Sequence, residues 1–135
     1  MPPPPNTSSG LRADVLALVD EYRRPLGFDP ATDFAGPVDS VVTDEQVPHI
    51  LAVVREALAN VARHAAAASV RVSVAAAPDR IEVVITDDGT GIVGDGERGN
   101  GLRNLRARAE ALGGSLAVEQ PDAGGTTLRW VVPVG

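Results

Sequence analysis

The run with the clearest potential for chemistry is DDGTG at residues 87–91, two adjacent carboxylates followed by two closely spaced glycines. It directly follows residues 81–86, whose alternating apolar side chains predict a β-strand with at least one buried face. Glycines at this spacing let the backbone come close to a flat or anionic ligand. Asp-Gly is also a strong turn signal, so these residues alone leave a ligand-binding loop and an ordinary hairpin turn both open.

A second polar set lies on a long helix that we predict from about residue 44 to residue 67, capped by Thr43 or Asp44 and with Pro48 in its first turn. Its core face is the apolar stripe of Val54, Ala57, Leu58, Val61 and Ala65. An adjacent face carries four polar residues at i, i+4, i+7 and i+8, namely Glu56, Asn60, Arg63 and His64. These groups could hold a metal ion and a phosphate chain together, whereas the alternative is a solvated polar face. Asn60 favours the first interpretation, because Asn is a mediocre helix former.

The third candidate is the glycine-rich segment 94–101, which we predict to be a flexible loop ahead of a helix over residues 102–112. The buried stripe of this helix is Leu102, Leu105, Ala109 and Leu112. Free N–H groups and the helix dipole point at the residues before its first turn. Residues 99–101, Gly-Asn-Gly, are therefore a natural anion site.

The other elements would position these three sets. We predict a helix over residues 11–24, ended by Pro25 and Gly27, and strands over residues 69–76, 81–86, 116–118 and 127–132. Residues 28–42 are interrupted by prolines and a glycine, with Phe34 and residues 41–42 as possible short strands. Residues 1–10 are polar and proline-rich and predict a disordered or artificial tail. Residues 11–135 then form one domain.

Composition limits the function further. A chain of 135 residues holds one domain with a real core. It has no cysteine, which excludes a disulfide scaffold and a thiolate metal site. The net charge of −6 argues against broad nucleic-acid binding. No apolar run is long enough to span a bilayer and no signal peptide is visible, so we expect a cytoplasmic domain without membrane contact.

The three sets occur in an order that resembles a known superfamily. REALANVARHA at residues 55–65 resembles the N box, DDGTG the G1 box and GNGLRNLRARAEALGG the G2 region of the GHKL ATPases, which comprise histidine kinases, gyrase-type topoisomerases, Hsp90 and MutL. Within it, the chain resembles the ATP-binding domain of NarL/NreB-type two-component sensor kinases, including the actinobacterial haem-based DosS/DosT sensors. The resemblance covers residue 11 to the C-terminus. It implies an α/β Bergerat fold, an α+β two-layer sandwich in which helices cover one face of a mixed sheet.

The resemblance also implies roles for the polar residues. Asn60 would be the Mg²⁺ ligand, a hard oxygen donor whose shell is completed by phosphates and water. Glu56 holds the position of the general base in hydrolytic members, and here it would orient the metal through water or polarise a nucleophile. Arg63 and His64 would contact the phosphates of ATP. Asp87 would accept a hydrogen bond from the exocyclic amine of adenine.

The remaining implied contacts surround the base and the triphosphate. They are Gly89 and Gly91 beside the base, and Gly99, Gly101 and Leu102 over the triphosphate. Thr126 matches the threonine that supports Asp87 beside adenine. Asp88 stands where the superfamily commonly has Asn, and we expect little effect, because Asp87 carries the contact with the base.

Two departures shape the functional prediction. The lid between residues 92 and 101 is very short and we find no F box, so closure over the phosphates would be incomplete in the domain alone. The only histidines are His49 and His64, and neither fits a phosphoacceptor: His49 has no acidic neighbour immediately following, and His64 belongs to the ATP patch. No paired-helix dimerisation region precedes residue 11. We therefore expect the ATP-binding half of a sensor histidine kinase, with its phosphoacceptor domain upstream.

Such a domain would be monomeric and almost inert alone, whereas the whole kinase would be a homodimer that relays its phosphoryl group to a response regulator. One alternative is an anti-sigma-factor serine kinase of the same fold, which would phosphorylate a serine of a partner. Another is a nucleotide-sensing module that binds ATP and transfers nothing; Glu56 beside Asn60 argues against it. The last is an α/β scaffold with an ordinary hairpin at residues 87–91.

Overall fold

The computed structural model describes residues 5–62, 68–89, 96–119 and 125–133. In chain order, the described elements are α1 (Pro5–Glu21), α2 (Arg23–Leu26), β1 (Ala31–Ala35), α3 (Val38–Val41), α4 (Val47–Asn60), β2 (Val70–Ala77), β3 (Arg80–Asp87), α5 (Gly96–Ala111), β4 (Ser115–Glu119) and β5 (Thr126–Pro133). Within these ranges, none of the helices combines the length and hydropathy that a membrane-spanning segment requires.

The strands pair into one mixed sheet in the order β1-β2-β3-β5-β4. β1 runs parallel to β2, and the other three pairings are antiparallel. Alternate residues of the central strands are buried on one face: Val70, Val72 and Val74 of β2, Ile81, Val83 and Ile85 of β3, and Leu128, Trp130 and Val132 of β5. Residues between them are more exposed, so one face of the sheet carries the helices. The predicted two-layer α/β fold is confirmed.

The helices bury their apolar stripes on that face. The buried stripe of α4 includes Val54, Ala57 and Leu58, as predicted, and α5 contributes Leu105 and Ala109. The fully buried Trp130 donates its indole N–H to the carbonyl oxygen of Leu105 at 3.2 Å. This bond satisfies a buried donor and fixes α5 to the central strand β5.

Helix α1 contains a break at Gly10, whose φ of +64° and ψ of −179° are not helical. The Asp39 carboxylate accepts the backbone N–H of Arg12 at 2.9 Å and so caps the turn that starts after the break. The predicted helix start near residue 11 coincides with this break, and the domain boundary there stays a prediction. The predicted helix end at Pro25 is wrong, because α1 ends at Glu21 and Pro25 lies within the separate short helix α2, which ends at Leu26 and has Gly27 as its C-cap.

The region before α4 differs in part from the prediction. Phe34 lies in a strand, β1, but the strand predicted at residues 41–42 is wrong, because α3 ends at Val41. The reason is local: the backbone N–H groups of Ser40 and Val41 both donate to the carbonyl oxygen of Pro37, which closes a helical turn.

The start of α4 lies later than predicted: the helix begins at Val47 with Gln46 in the N-cap position, and Thr43 caps the turn immediately before it. Thr43 Oγ1 accepts the N–H of Gln46 at 3.3 Å, while Gln46 Oε1 accepts the N–H of Thr43 at 3.0 Å, a reciprocal capping box. Pro48 occupies the first turn of α4, as predicted. The α-helix ends at Asn60, and the predicted continuation through Arg63, His64 and Ala65 lies outside the described residues.

Candidate functional site

Asp87 is the last residue of β3 and lies between two strands. It pairs with Val70 of β2 on one side and with Thr126 of β5 on the other. Its carboxylate is buried, and Oδ1 accepts the N–H of Gly89 at 2.8 Å, which closes a tight turn. The next described element after β3 is the helix α5, and β3 is already paired with β2 and β5, so the ordinary hairpin interpretation of residues 87–91 is wrong.

Burial separates three polar residues from the others. Among the side chains that the structure describes, the buried polar or charged ones are Asn60 at 7%, Asp87 at 8% and Thr126 at 7% exposure. All three were predicted site residues. Buried polar groups are costly unless they are satisfied, so a protein retains them where they have a task.

Thr126 lies directly opposite Asp87 across the β3–β5 pair. Its hydroxyl oxygen is buried and finds no hydrogen-bond partner among the described atoms. A buried hydroxyl without a partner costs about 1–3 kcal/mol. The hydroxyl is therefore suited to receive a polar group of a ligand beside the Asp87 carboxylate.

Asn60 and Glu56 come from the last turns of α4, which packs against β3. The carboxyl end of this helix leads into the start of β2, the strand end that is paired with Asp87. Glu56 is partly exposed whereas Asn60 is buried. In the described part of the chain, no group of three or more His, Asp or Glu could hold a metal ion. A metal ion bound by Glu56 and Asn60 would thus need further ligands from elsewhere.

The glycine-rich segment differs from its prediction. Helix α5 begins at Gly96, so Gly99 and Gly101 belong to its first turns and do not precede it. The loop predicted up to residue 101 is therefore wrong from Gly96 onward; glycines disfavour a helix by propensity alone, but tertiary context overrides so weak a preference. Arg63, His64 and Gly91 lie outside the described residues, as does the side chain of Leu102. The roles expected for six residues therefore remain predictions: Arg63, His64, Gly91, Gly99, Gly101 and Leu102.

Gly125 is a site residue that the sequence reasoning missed. Its N–H donates to the carbonyl oxygen of Gly89 at 3.0 Å, which joins the start of β5 to the turn after Asp87. It has a φ of +86°, and a Cβ there would lie 2.6 Å from the carbonyl oxygen of Asp87. The only sequence signal was a second glycine before two threonines, which is typical of any connecting turn.

We expect Gly125→Ala to destabilise the domain more than Gly27→Ala. Both glycines have nearly the same φ, +86° and +85°, so both variants lose about 1–2 kcal/mol for placing Ala in the left-handed region. At Gly27 the new Cβ meets nothing within 4 Å, whereas at Gly125 it meets the backbone of Asp87. Urea unfolding followed by fluorescence of the single tryptophan, Trp130, measures the difference. An equal loss in the free energy of unfolding of the two variants would show that the close approach of residue 125 to the Asp87 backbone does not affect stability.

Comparison with known proteins agrees with this geometry. Residues 45–135 match the family model described as "Histidine kinase-, DNA gyrase B-, and HSP90-like ATPase". The chain is 34% identical over 124 residues to the nitrate/nitrite sensor protein NarX of Escherichia coli (strain K12), which covers 90% of this chain and 21% of NarX. It is 34% identical over 113 residues to the sensor histidine kinase NarS of Mycobacterium tuberculosis, covering 79% of this chain and 26% of NarS. The chain thus spans about a quarter or less of these two relatives.

A solved structure extends the similarity to the fold. The histidine kinase domain of the blue-light activated histidine kinase EL346 from Erythrobacter litoralis superposes with a TM-score of 0.71 at 26% identity, covering 93% of this chain and 61% of that domain. The superfamily indicated by the three motifs is confirmed, while the finer resemblance to haem-based sensors stays a prediction. The chain belongs to the histidine kinase-, DNA gyrase B- and HSP90-like ATPase family.

Proposed function

We propose that this domain binds Mg²⁺-ATP and presents the γ-phosphate to a histidine on the dimerisation domain of a sensor kinase. The observation that carries the proposal is the burial of Asn60, Asp87 and Thr126, the metal, adenine and support positions implied by the superfamily. The relatives are named sensor proteins and sensor histidine kinases, which favours a histidine kinase over the anti-sigma-factor serine kinase or a module that only senses nucleotides.

The adenine end of the site is supported by the chemistry of Asp87 and Thr126. A carboxylate can accept the exocyclic amine of adenine, whereas guanine offers a carbonyl oxygen at that edge and is repelled. The hydroxyl of Thr126, which has no hydrogen-bond partner among the described atoms, lies on the neighbouring strand opposite Asp87 and would supply a second polar contact. Gly89, in the turn that Asp87 closes, places backbone without a side chain beside the base.

The phosphate end of the site would hold Mg²⁺. The Asn60 amide oxygen would bind the ion, with Glu56 acting through a water molecule. Two hard oxygen donors on one helix fit a cation that takes its other ligands from phosphates and water. When bound, Mg²⁺ neutralises charge on the phosphates during transfer. Arg63, His64, Gly99, Gly101 and Leu102 would surround the triphosphate, whereas Gly91 would lie beside the base.

The acceptor histidine would lie outside this chain. His49 is partly buried between α4 and α5, where Arg108 Nη1 donates to its Nδ1 at 2.9 Å, so this nitrogen is engaged. His64 belongs to the ATP patch. We therefore propose a cytoplasmic domain that is monomeric alone and works within a homodimeric kinase, which then passes the phosphoryl group to a response regulator. No contact with nucleic acid or membrane is part of this proposal.

Calorimetric titration of the 135-residue chain with ATP, ADP and GTP, each with and without Mg²⁺, tests binding. We expect ATP and ADP to bind at least about tenfold more tightly than GTP, because a site that hydrogen-bonds one edge rejects a mismatched edge. Equal affinity for GTP would contradict the adenine site. If the folded chain binds nothing, the titration is repeated on the longer kinase with its dimerisation domain, and absence of binding there would refute the proposal.

The transfer step needs a separate assay. Incubating the chain with γ-labelled ATP and the dimerisation domain is expected to yield an acid-labile phosphohistidine. Acid-stable phosphoserine on a partner would instead establish the serine-kinase alternative. Binding without transfer to either residue would leave the nucleotide-sensing module as the function.

A further inference from the structure

The Asp88 side chain makes an unexpected connection between two separate segments. Its Oδ1 accepts two consecutive backbone N–H groups, that of Ala68 at 2.8 Å and that of Ser69 at 2.9 Å. The backbone N–H of Asp88 in turn donates to the carbonyl oxygen of Ser69 at 3.3 Å. Asp88 thus extends the contact between β2 and β3 by one residue beyond the last pair, Val70 with Asp87.

Two N–H dipoles that converge on one carboxylate oxygen form charge-assisted hydrogen bonds, which are stronger than neutral ones. The bonds from Ser69 and then Ala68 hold the pKa of Asp88 below its usual range. The two hydrogen bonds therefore stabilise the ionised carboxylate of Asp88 relative to its protonated form. A neutral amide oxygen could accept the same two bonds, but with less strength.

The clamp made by Asp88 is continuous with the turn that orients Asp87. The next residue, Gly89, donates its N–H to Asp87 Oδ1 at 2.8 Å and accepts the N–H of Gly125 at 3.0 Å. Residues 87–89 are therefore held on one side by Ala68 and Ser69 and on the other by Gly125. Loss of the Asp88 bonds would free one side of this turn.

We infer that Asp88 is a positioning residue of the nucleotide site: by clamping Ala68 and Ser69, it holds residues 87–89 in the geometry that presents Asp87 to the base. The inference rests on the proposed function. It also gives a physical reason for the expectation that Asp in place of the commoner Asn has little effect, because either side chain offers an oxygen that can accept the N–H groups of Ala68 and Ser69. The same clamp anchors Ala68 and Ser69, the two residues that directly precede β2.

Nucleotide selectivity tests this role. Asp88→Ala is expected to weaken ATP binding severalfold while GTP binding changes less, so the ratio of the two affinities falls. Asp88→Asn should restore most of the ratio, because its amide oxygen accepts the same two N–H groups. Asp79→Ala removes the same charge from the exposed turn at the opposite end of β3 and should leave the ratio unchanged. An unchanged ratio in Asp88→Ala would overturn the inference.

Amide hydrogen exchange separates this inference from the proposed function, because it needs no nucleotide. In the wild-type chain and in Asp88→Ala, exchange is compared at Ala68 and Ser69, which lose their acceptor, and at Gly89 and Gly125, which do not. Faster exchange at both glycines supports the clamp, even if the chain proves not to bind ATP and the proposed function fails. Unchanged exchange at Gly89 and Gly125 would overturn the clamp, whatever nucleotide the chain binds.

Discussion

Asp87→Asn is expected to lower the affinity for ATP by roughly tenfold to a hundredfold. The substitution keeps the size of the side chain but replaces one acceptor oxygen with an amide N–H₂ group. In the buried site this group either faces the adenine amine as a second donor or gives up the bond that Gly89 N–H makes to Oδ1. A hydrogen bond to a charged group contributes about 1.5–3 kcal/mol, which converts to the expected loss of affinity.

Calorimetric titration with ATP measures this loss, and autophosphorylation of the longer kinase should fall with it. The matched control is Asp79→Asn, which removes one carboxylate from the turn between β2 and β3, at the other end of the strand that carries Asp87. Unfolding curves followed through Trp130 show whether each variant is folded. Wild-type affinity in a folded Asp87→Asn variant would refute the adenine contact and with it the orientation of the site.

Two of the candidate-site residues that the sequence singled out, Asn60 and Asp87, are recognisable from residue type within one element. Asn60 is a poor helix former in the middle of a strong helical pattern, and Asp87 is a carboxylate at the end of an apolar strand. Asp87 is charged at a position where the alternation of the strand predicts an apolar residue, and both side chains are buried. The strands themselves were predictable for the same reason, because alternation along 70–77, 80–87 and 126–133 reports which face is covered.

The parts that escaped prediction depend on contacts between segments distant in sequence. Asp88 acquires its role from backbone groups 19 and 20 residues away, and Gly125 from its approach to Asp87. Neither contact has a periodic signature. The start of α5 was missed because a glycine-rich stretch resembles a loop by propensity, although the helix begins at Gly96. The turn at α3 was missed since valines favour strands, whereas the Pro37 carbonyl closes a helical turn.

The two ends of the proposed site also differ in what secures them. The adenine end is held by backbone bonds across three strands: Asp87 pairs with β2 and β5, and the turn after it is bound to Gly125. The phosphate end depends on side chains of α4, where Glu56 is partly exposed. Substitutions at the adenine end should therefore change affinity, whereas those at the phosphate end should change the transfer rate. Measuring nucleotide affinity and transfer rate in the same variant therefore distinguishes the two ends of the site.

Asn60→Asp is expected to reduce phosphoryl transfer at least about a hundredfold, a rise of about 3 kcal/mol in the activation free energy. The new carboxylate places a negative charge beside the phosphates at a position with 7% exposure, where screening by water is weak. It also replaces the neutral ligand proposed for Mg²⁺. Binding of Mg²⁺-free ADP should change much less, since the adenine contacts at Asp87 remain intact.

Single-turnover transfer to the dimerisation domain, measured beside ADP titration, separates these two effects. Asn104→Asp, the same substitution on the exposed surface of α5, is the matched control and should transfer at the wild-type rate. Asn60→Gln, which keeps the amide but moves it outward by one methylene, is expected to be slow as well without adding charge. Transfer near the wild-type rate in folded Asn60→Asp would exclude Asn60 as the metal ligand. A loss of ADP binding as large as the loss of transfer would instead assign Asn60 to the nucleotide contact or to the packing of α4 against β3.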